Sequence, residues 1–522
     1  MSHPFFGKEF NFTQPDGTDL RVRGWGDQYY AVFEALNGYT VEQNAATGFY
    51  EYADLSKDGL KLLPTGGRPR VVKPSELGLS PRIRISREAA RVQVQDNRNL
   101  SMGHSRWEER GKELEPMALA PAMLPPAAIA HAAFSPNVFA PAEARSVSAA
   151  TPVSLGHSGH FVGLCLLIEF PDRPATISRQ EVDDFCNKPG YNGFGNNGSV
   201  YDYFYDVSGG RIKYNNIVTP YYMAKNPSSH YMDVQPDSTM TSRQLIAEAL
   251  EHFVATGLDL SRLTVDNQSY VYAVNAFYSG FARNNKSGLW PHHSGMNPVF
   301  WLPGGARVKD YQISNMGTSL ELGTFCHENG HMLCSFNDLY DPNESNGVGR
   351  FCLMGAGGHG HNPSHVCAYL KAKAGWVTSM TPIFSGSGMT LTAHAGRNEF
   401  FIYRRNDSEY FIIENRLRQG RDLNLPGSGL AIWHVDERGN NQNSERLPGL
   451  HYECTLIQAD GRHDLENRFG NDGDMTDLFR SGVNNSFGPA TTPGSHWWDG
   501  SPSGLDIRNI STAGTVMTFT VG

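Results

Sequence analysis

Apolar and polar positions change rhythm several times along the chain, and each change predicts a different kind of element. Residues 1–75 carry short runs broken by turn residues. Phe10-Asn11-Phe12-Thr13-Gln14 leads into Pro15-Asp16-Gly17, and Tyr29-Tyr30-Ala31-Val32-Phe33 leads to Asn37-Gly38 and Tyr39-Thr40-Val41-Glu42. These runs predict a small β-rich module over residues 1–78, structural or binding in role. Charge then takes over, with Arg82, Arg84, Arg87, Arg91, Arg106 and Arg110 among acidic residues. From 116 to 156 the chain is rich in Ala, Pro and Ser. That composition packs poorly and predicts a linker over 79–158.

A new region opens at Phe161-Val162-Gly163-Leu164-Cys165-Leu166-Leu167-Ile168-Glu169-Phe170, an apolar run of strand length that reads as a buried strand. Ser199 to Phe204 suggests a helix start. Residues 243–253 have helical spacing, and Tyr270 to Ala276 reads as another central strand. Strands alternating with helices predict an α/β (α+β) layer over 159–384. A helix through Ala368–Ala374 ends at Gly375, ahead of Trp376. Beyond 385 short strands and turns dominate, so 385–522 is expected to be β-rich. No internal repeat is visible.

The chemistry concentrates in Gly323-Thr324-Phe325-Cys326-His327-Glu328-Asn329-Gly330-His331-Met332-Leu333. Residues four apart on a helix lie nearly above one another, so His327 and His331 point the same way and can share a metal ion. Glu328 sits about 100° round the helix, within reach of a water at that metal. Two neutral imidazoles suit zinc, and an adjacent carboxylate suits proton transfer. Thr318 and Glu321 offer a capping box ahead of this helix. Leu320, Leu322, Phe325, Met332 and Leu333 place apolar groups on several sides, which predicts a buried helix.

Composition narrows the function classes. The 522 residues carry a net charge of -9, which argues against nucleic acid as the main partner. No apolar run approaches a membrane span, and no secretory signal is visible at the N-terminus. The seven cysteines form no C-x-x-C pair, so a structural zinc ribbon is not expected. Buried thiols and a disulfide near the proposed site both remain open. A monomer is expected.

With these stretches in hand, the chain resembles the immune inhibitor A family of bacterial metallopeptidases over roughly residues 160–522. The resemblance rests on the His327–His331 helix running into Asp338-Leu339-Tyr340-Asp341, and on Leu353-Met354-Gly355 and Lys373-Ala374-Gly375-Trp376. It extends to Glu409-Tyr410-Phe411-Ile412-Ile413-Glu414-Asn415-Arg416, to Pro426 through Glu437, and to Gln458-Ala459-Asp460-Gly461. It implies a metzincin-like zinc endopeptidase acting on protein or peptide substrates, secreted, and made with an N-terminal prosegment. Residues 1–75 are similar to such a precursor region.

The chain departs from the family pattern, which is similar to His-Glu-x-x-His-x-x-Gly-x-x-Asp. Cys334 stands at the glycine, Asn337 at the next ligand position, and Asp338 one residue later. A turn delayed by one residue, with Asn337 left-handed, carries Asp338 into the third ligand position. The expected metal ligands are therefore His327, His331 and Asp338, with Glu328 as general base and acid. Met354 is expected as a floor beneath the metal. His359, His361 or a nearby Tyr is a candidate for steadying the oxyanion. Trp290-Pro291-His292-His293 either lines the cleft or is merely solvated. Glu414 either anchors Arg416 or approaches the metal. Asp472-Gly473-Asp474 with Asp477 has the oxygen density for calcium, a second candidate cofactor, or is a solvated acidic turn. The competing class is a catalytically inactive peptidase-like binding protein.

Overall fold

The computed structural model describes residues 4–102, 105–118, 157–232, 240–341, 345–358, 360–442, 451–467 and 471–522. The architecture is mixed α/β with several sheets. The N-terminal strands β1 (Phe5–Thr13), β2 (Asp19–Gly26), β3 (Ala31–Ala35), β4 (Thr40–Gln43), β5 (Tyr50–Leu55) and β6 (Leu62–Pro64) pair in chain order as an antiparallel meander. Alternation drives it: Leu20 and Val22 point inward on β2, while Arg21 and Arg23 point out. Its core packs Phe5, Phe12, Phe33 and Tyr50. Phe10 and Phe12 also meet Trp290 of the next region, with ring centroids 5.5 and 6.3 Å away.

The charged stretch expected as linker is helical instead. It forms α1 (Arg87–Met102) and α2 (Arg106–Ala118). The reason lies in Asp310, which accepts the N–H groups of Arg106 and Trp107 at 3.2 and 3.0 Å and so caps α2 from another part of the chain. The Ala/Pro-rich remainder, 119–156, lies outside the described residues.

A central sheet follows, made of β7 (Gly159–Glu169), β8 (Ile212–Met223), β9 (Val274–Tyr278), β10 (His292–Trp301) and β11 (Arg307–Asn315). Its order is β10-β11-β9-β7-β8; all pairs are parallel except the edge strand β10, which runs antiparallel to β11. On β7, Leu164, Leu166 and Ile168 face one core and Cys165 and Leu167 the other. Helices α3 (Arg179–Asn187), α4 (Val200–Val207), α5 (Ser228–Met232), α6 (Met240–Ala255) and α7 (Leu322–Cys334) cover the sheet. Ser199 starts α4 with a capping box closed by Asp202.

After α8 (Ala368–Lys373) come β12 (Ser379–Pro382), β13 (Thr390–His394), β14 (Glu399–Arg404), β15 (Glu409–Arg416), β16 (Gly429–Asp436), β17 (Cys454–Leu456), β18 (Ile507–Arg508) and β19 (Val516–Val521). They form a sheet ordered β12-β14-β15-β16-β17 and a small sheet β13-β19-β18. β15 and β16 are buried at every position. Ile412 and Trp433 join the core that also holds α7, while Phe411 and Ile432 face the β13–β19 side. One apolar core therefore runs from the side of the central sheet that carries α7 into the C-terminal strands. All seven cysteines are buried thiols without disulfides. No described helix is long and apolar enough to cross a membrane.

Candidate metal centre

α7 is buried along almost its whole length, as its apolar surround predicts. Its start differs from the expected capping box: Glu321 holds the cap position without a side-chain bond, and Thr318 lies outside the helix. The first N–H groups are satisfied by other segments. Leu322 N–H donates to Asn196 Oδ1 at 3.2 Å and Gly323 N–H to the Gly360 carbonyl at 2.9 Å.

The two residues between Glu328 and His331 also have work in the fold. Asn329 accepts from Tyr214 at 2.7 Å and donates to Asn275 at 2.8 Å, which ties the helix to β8 and β9. Gly330 leaves room for Met354: a Cβ there would lie 2.9 Å from the Met354 sulfur. Met354 is fully buried, packed against α7 at Gly330.

The turn after the helix comes earlier than expected. Ser335, not Asn337, takes the left-handed conformation, with φ 53°. Asn337 instead donates to Glu453 at 3.2 Å. The result still carries Asp338 back to the helix, where His327, His331 and Asp338 converge as a group able to hold a metal ion, with ligand atoms within 4.8 Å of one another.

The donor set fits such an ion. His327 Nδ1 lies 3.0 Å from the Leu353 carbonyl and His331 Nδ1 2.6 Å from the Phe336 carbonyl. A carbonyl only accepts, so each Nδ1 carries a hydrogen, and each ring offers its Nε2 lone pair to a metal once that nitrogen gives up its proton. Those Nε2 atoms lie 3.1 and 3.4 Å from Asp338 Oδ1. Ligands at about 2.05 Å from a tetrahedral ion stand roughly 3.3 Å apart. Asp338 Oδ1 is buried and makes no hydrogen bond, as a metal-facing oxygen would. Burial opposes charge on His331, but Asp338 and Glu328 outweigh it and push its pKa up to about 9. Against the same burial, His331 and His327 hold Asp338 far below the ordinary carboxylate range. Glu328 Oε1 stands 3.9 Å from His327 Nε2.

A cavity of about 10 Å³ adjoins the group, lined by Glu328, His331, Asp338, His293 and Gln442 from one side and by Gln28, Tyr29, Arg98 and Trp107 from the N-terminal segment. That is room for about one water. The Trp107 indole lies against His331, with centroids 4.7 Å apart. Gln28 accepts the His293 N–H at 2.8 Å, and Asp27 accepts the Tyr340 hydroxyl at 3.3 Å. Next to it a polar cleft of about 490 Å³ runs past Asp338 to Asn337, Lys373, Glu437 and Glu453.

The remaining sequence candidates separate. Glu414 accepts from Trp433 at 2.9 Å and from Ala368 N–H at 3.2 Å, next to Arg416 and Lys371; it is structural and not at the metal group. His361 faces Asn196, and His359 lies outside the described residues. Asp472 is not part of the acidic group either, because Arg350 holds it at 2.8 Å. Asp460 joins Asp474 and Asp477 instead. Thr476 bonds both Asp460 and Asp474, and Asp474 N–H donates to Asp477 at 2.6 Å, so hydrogen bonds knit that group together. Sequence reading missed Gln28, Tyr29, Trp107, Arg98 and Gln442. Each comes from a segment distant in sequence, and none carries a local motif. Compared with known protein families and with curated proteins, the chain matches none.

Proposed function

We propose that the chain is a zinc-dependent endopeptidase similar to the immune inhibitor A family, with a metzincin-like catalytic region. The observation that carries this reading is the convergence of His327, His331 and Asp338 beside Glu328. An N₂O donor set with an open side suits catalytic zinc, which when bound supplies Lewis acidity and makes a water nucleophilic near neutral pH. The chain's own residues do the rest. Glu328 takes a proton from the attacking water and returns it to the departing amine nitrogen as the C–N bond breaks. The Leu353 and Phe336 carbonyls keep both imidazoles aimed, and Met354 holds the helix from beneath.

Trp107, Tyr29 and Gln28 cover the open side and leave too little room for a peptide. That supports a latent form in which residues 1–118 restrain activity until the segment moves or is cut. Secretion belongs to the same proposal and rests on the resemblance alone.

The test uses the full chain before and after limited proteolysis. Casein hydrolysis is expected to appear on cutting, and a chelator should abolish it. Glu328→Gln should retain metal and lose about a hundredfold to ten-thousandfold of the activity. Activity within threefold of the parent would remove Glu328 from this role. One zinc per chain with no hydrolysis in any form would favour the inactive binding protein.

A further inference from the structure

β10 places two adjacent histidines on opposite faces, and their surroundings differ. His292 is tied in by both nitrogens: Nδ1 to the Trp290 carbonyl at 2.5 Å and Nε2 to the Ser242 hydroxyl at 3.0 Å. His293 is just as buried, at 1% exposure, yet its Nε2 has no hydrogen-bond partner. A buried imidazole nitrogen left unpaired costs about 1–3 kcal/mol, so an unpaired one needs a reason.

Its position supplies that reason. His293 lines the small cavity together with Glu328, His331 and Asp338. Its ring faces His331 with centroids 6.4 Å apart and planes inclined by 29°. That spacing falls just short of twice the ~3.5 Å contact distance between stacked atoms, and the cavity there admits one water-sized group, the size of a carbonyl oxygen. His293 is not among the three converging ligands, and its Nε2 stays unpaired beside them. Trp107 flanks the same gap, 6.3 Å from the His293 ring, and Gln28 holds the His293 main chain. The covering segment thus sits where a substrate would.

We propose that His293 is a catalytic residue whose Nε2–H donates a hydrogen bond to the carbonyl oxygen of the peptide bond under attack. The proposal rests on the peptidase reading and adds to it the group that steadies the oxyanion. As the water oxygen bonds to the carbonyl carbon, the C=O π pair moves onto oxygen. Glu328 holds the water's proton, and His293 keeps its own while the oxyanion accepts its hydrogen bond. When the C–N bond breaks the pair returns, and the proton on Glu328 goes to the amine. A preorganised donor of this kind is worth about 10²–10³ in kcat.

The experiment compares His293→Leu and His293→Gln in the full chain, opened by limited proteolysis until the parent hydrolyses casein. Metal content and thermal melting are checked first. Leucine should lower kcat about a hundredfold to a thousandfold with KM within threefold. It should also weaken binding of a phosphinic peptide, whose tetrahedral oxygen mimics the oxyanion, by a similar factor in calorimetry. Glutamine, whose amide N–H reaches nearly as far, should restore most of both. If leucine prevents folding, His293→Met carries the same comparison. A donorless variant within threefold of the parent, or a glutamine variant as poor as leucine, overturns the role of His293 while leaving the peptidase reading intact. A parent chain inactive in every form overturns both.

Discussion

The helix α7, which carries His327 and His331, is held from two sides in two different ways. Toward the C-terminal strands it shares one dry core: Phe325, Met332, Leu333, Leu353, Trp376, Ile412 and Trp433 belong to a single apolar cluster. Toward the N-terminal segment the contacts are countable, a few stacked rings such as Trp107 on His331 and a set of polar bonds. Arg106 reaches Asp266 at 2.5 Å, Arg110 donates to the Met332 carbonyl at 2.6 Å, and Asp310 caps α2. Apolar burial accumulates over area and gives way only with the fold. A few charged contacts around a small cavity can be undone one at a time. The first side is part of the molecule's core; the second is a joint.

The sharpest break of that contrast is Trp376→Ala. The side chain is fully buried, and its loss should destabilise the whole chain by about 3–5 kcal/mol in urea unfolding. A loss under 1 kcal/mol would mean that the core side is no more integral than the joint. Arg106→Ala should act locally instead. It removes the bonds to Asp266 and Asn267, about 2–3 kcal/mol of docking, and should speed tryptic cleavage within α2 roughly thirty- to a hundredfold. The main unfolding transition should stay put; a shift as large as that of Trp376→Ala would erase the distinction.

The joint should also respond to pH through Asp310. Burial, opposed by Arg110 and the Trp107 and Arg106 N–H groups, pushes its docked pKa up to about 6, above the ordinary 3.8. The docked state therefore binds this proton more tightly. Docking is strongest at low pH, weakens as pH rises from about 4 through 6, and then levels off. Tryptic release of α2 should be about tenfold faster at pH 7 than at pH 5, after correction for the protease's own pH dependence. Asp310→Asn should flatten that profile; an unchanged slope would place the titrating group elsewhere. The smallest effect belongs to Ser335→Gly. Glycine removes the cost of φ 53°, so stability should hold or rise by up to about 1 kcal/mol with metal content unchanged. A clear loss would show that the serine side chain matters there.

The core side was the legible one. Hydrophobic runs placed β7, α6, α8 and β14 through β16 because burial is written in local alternation and spacing. His327, His331 and Glu328 were legible for the same reason, since one helical turn fixes their relation. Asp338 was reached by the right direction of argument but through the wrong turn residue. Serine is a poor predictor of a left-handed turn, and Ser335 takes one because the chain must fold back to the helix. The joint was hidden. Arg106 and Arg110 fall in a charged stretch that reads as linker, because their partners Asp266 and Asp310 lie more than a hundred residues away. His293 was visible only as one of two readings, and nothing local told it from His292.

Both metal-facing imidazoles lean on main-chain carbonyls, those of Leu353 and Phe336. A carbonyl belongs to every residue type, so replacing either side chain leaves the support in place as long as the loop keeps its path. Loop length is another matter. Between His331 and Asp338 the chain must deliver one carbonyl to a ring nitrogen and, two residues on, one carboxylate oxygen to the same focus. Adding or deleting a single residue there would rotate both away together. The centre should therefore tolerate many exchanges of letters in this segment and almost no change in their number.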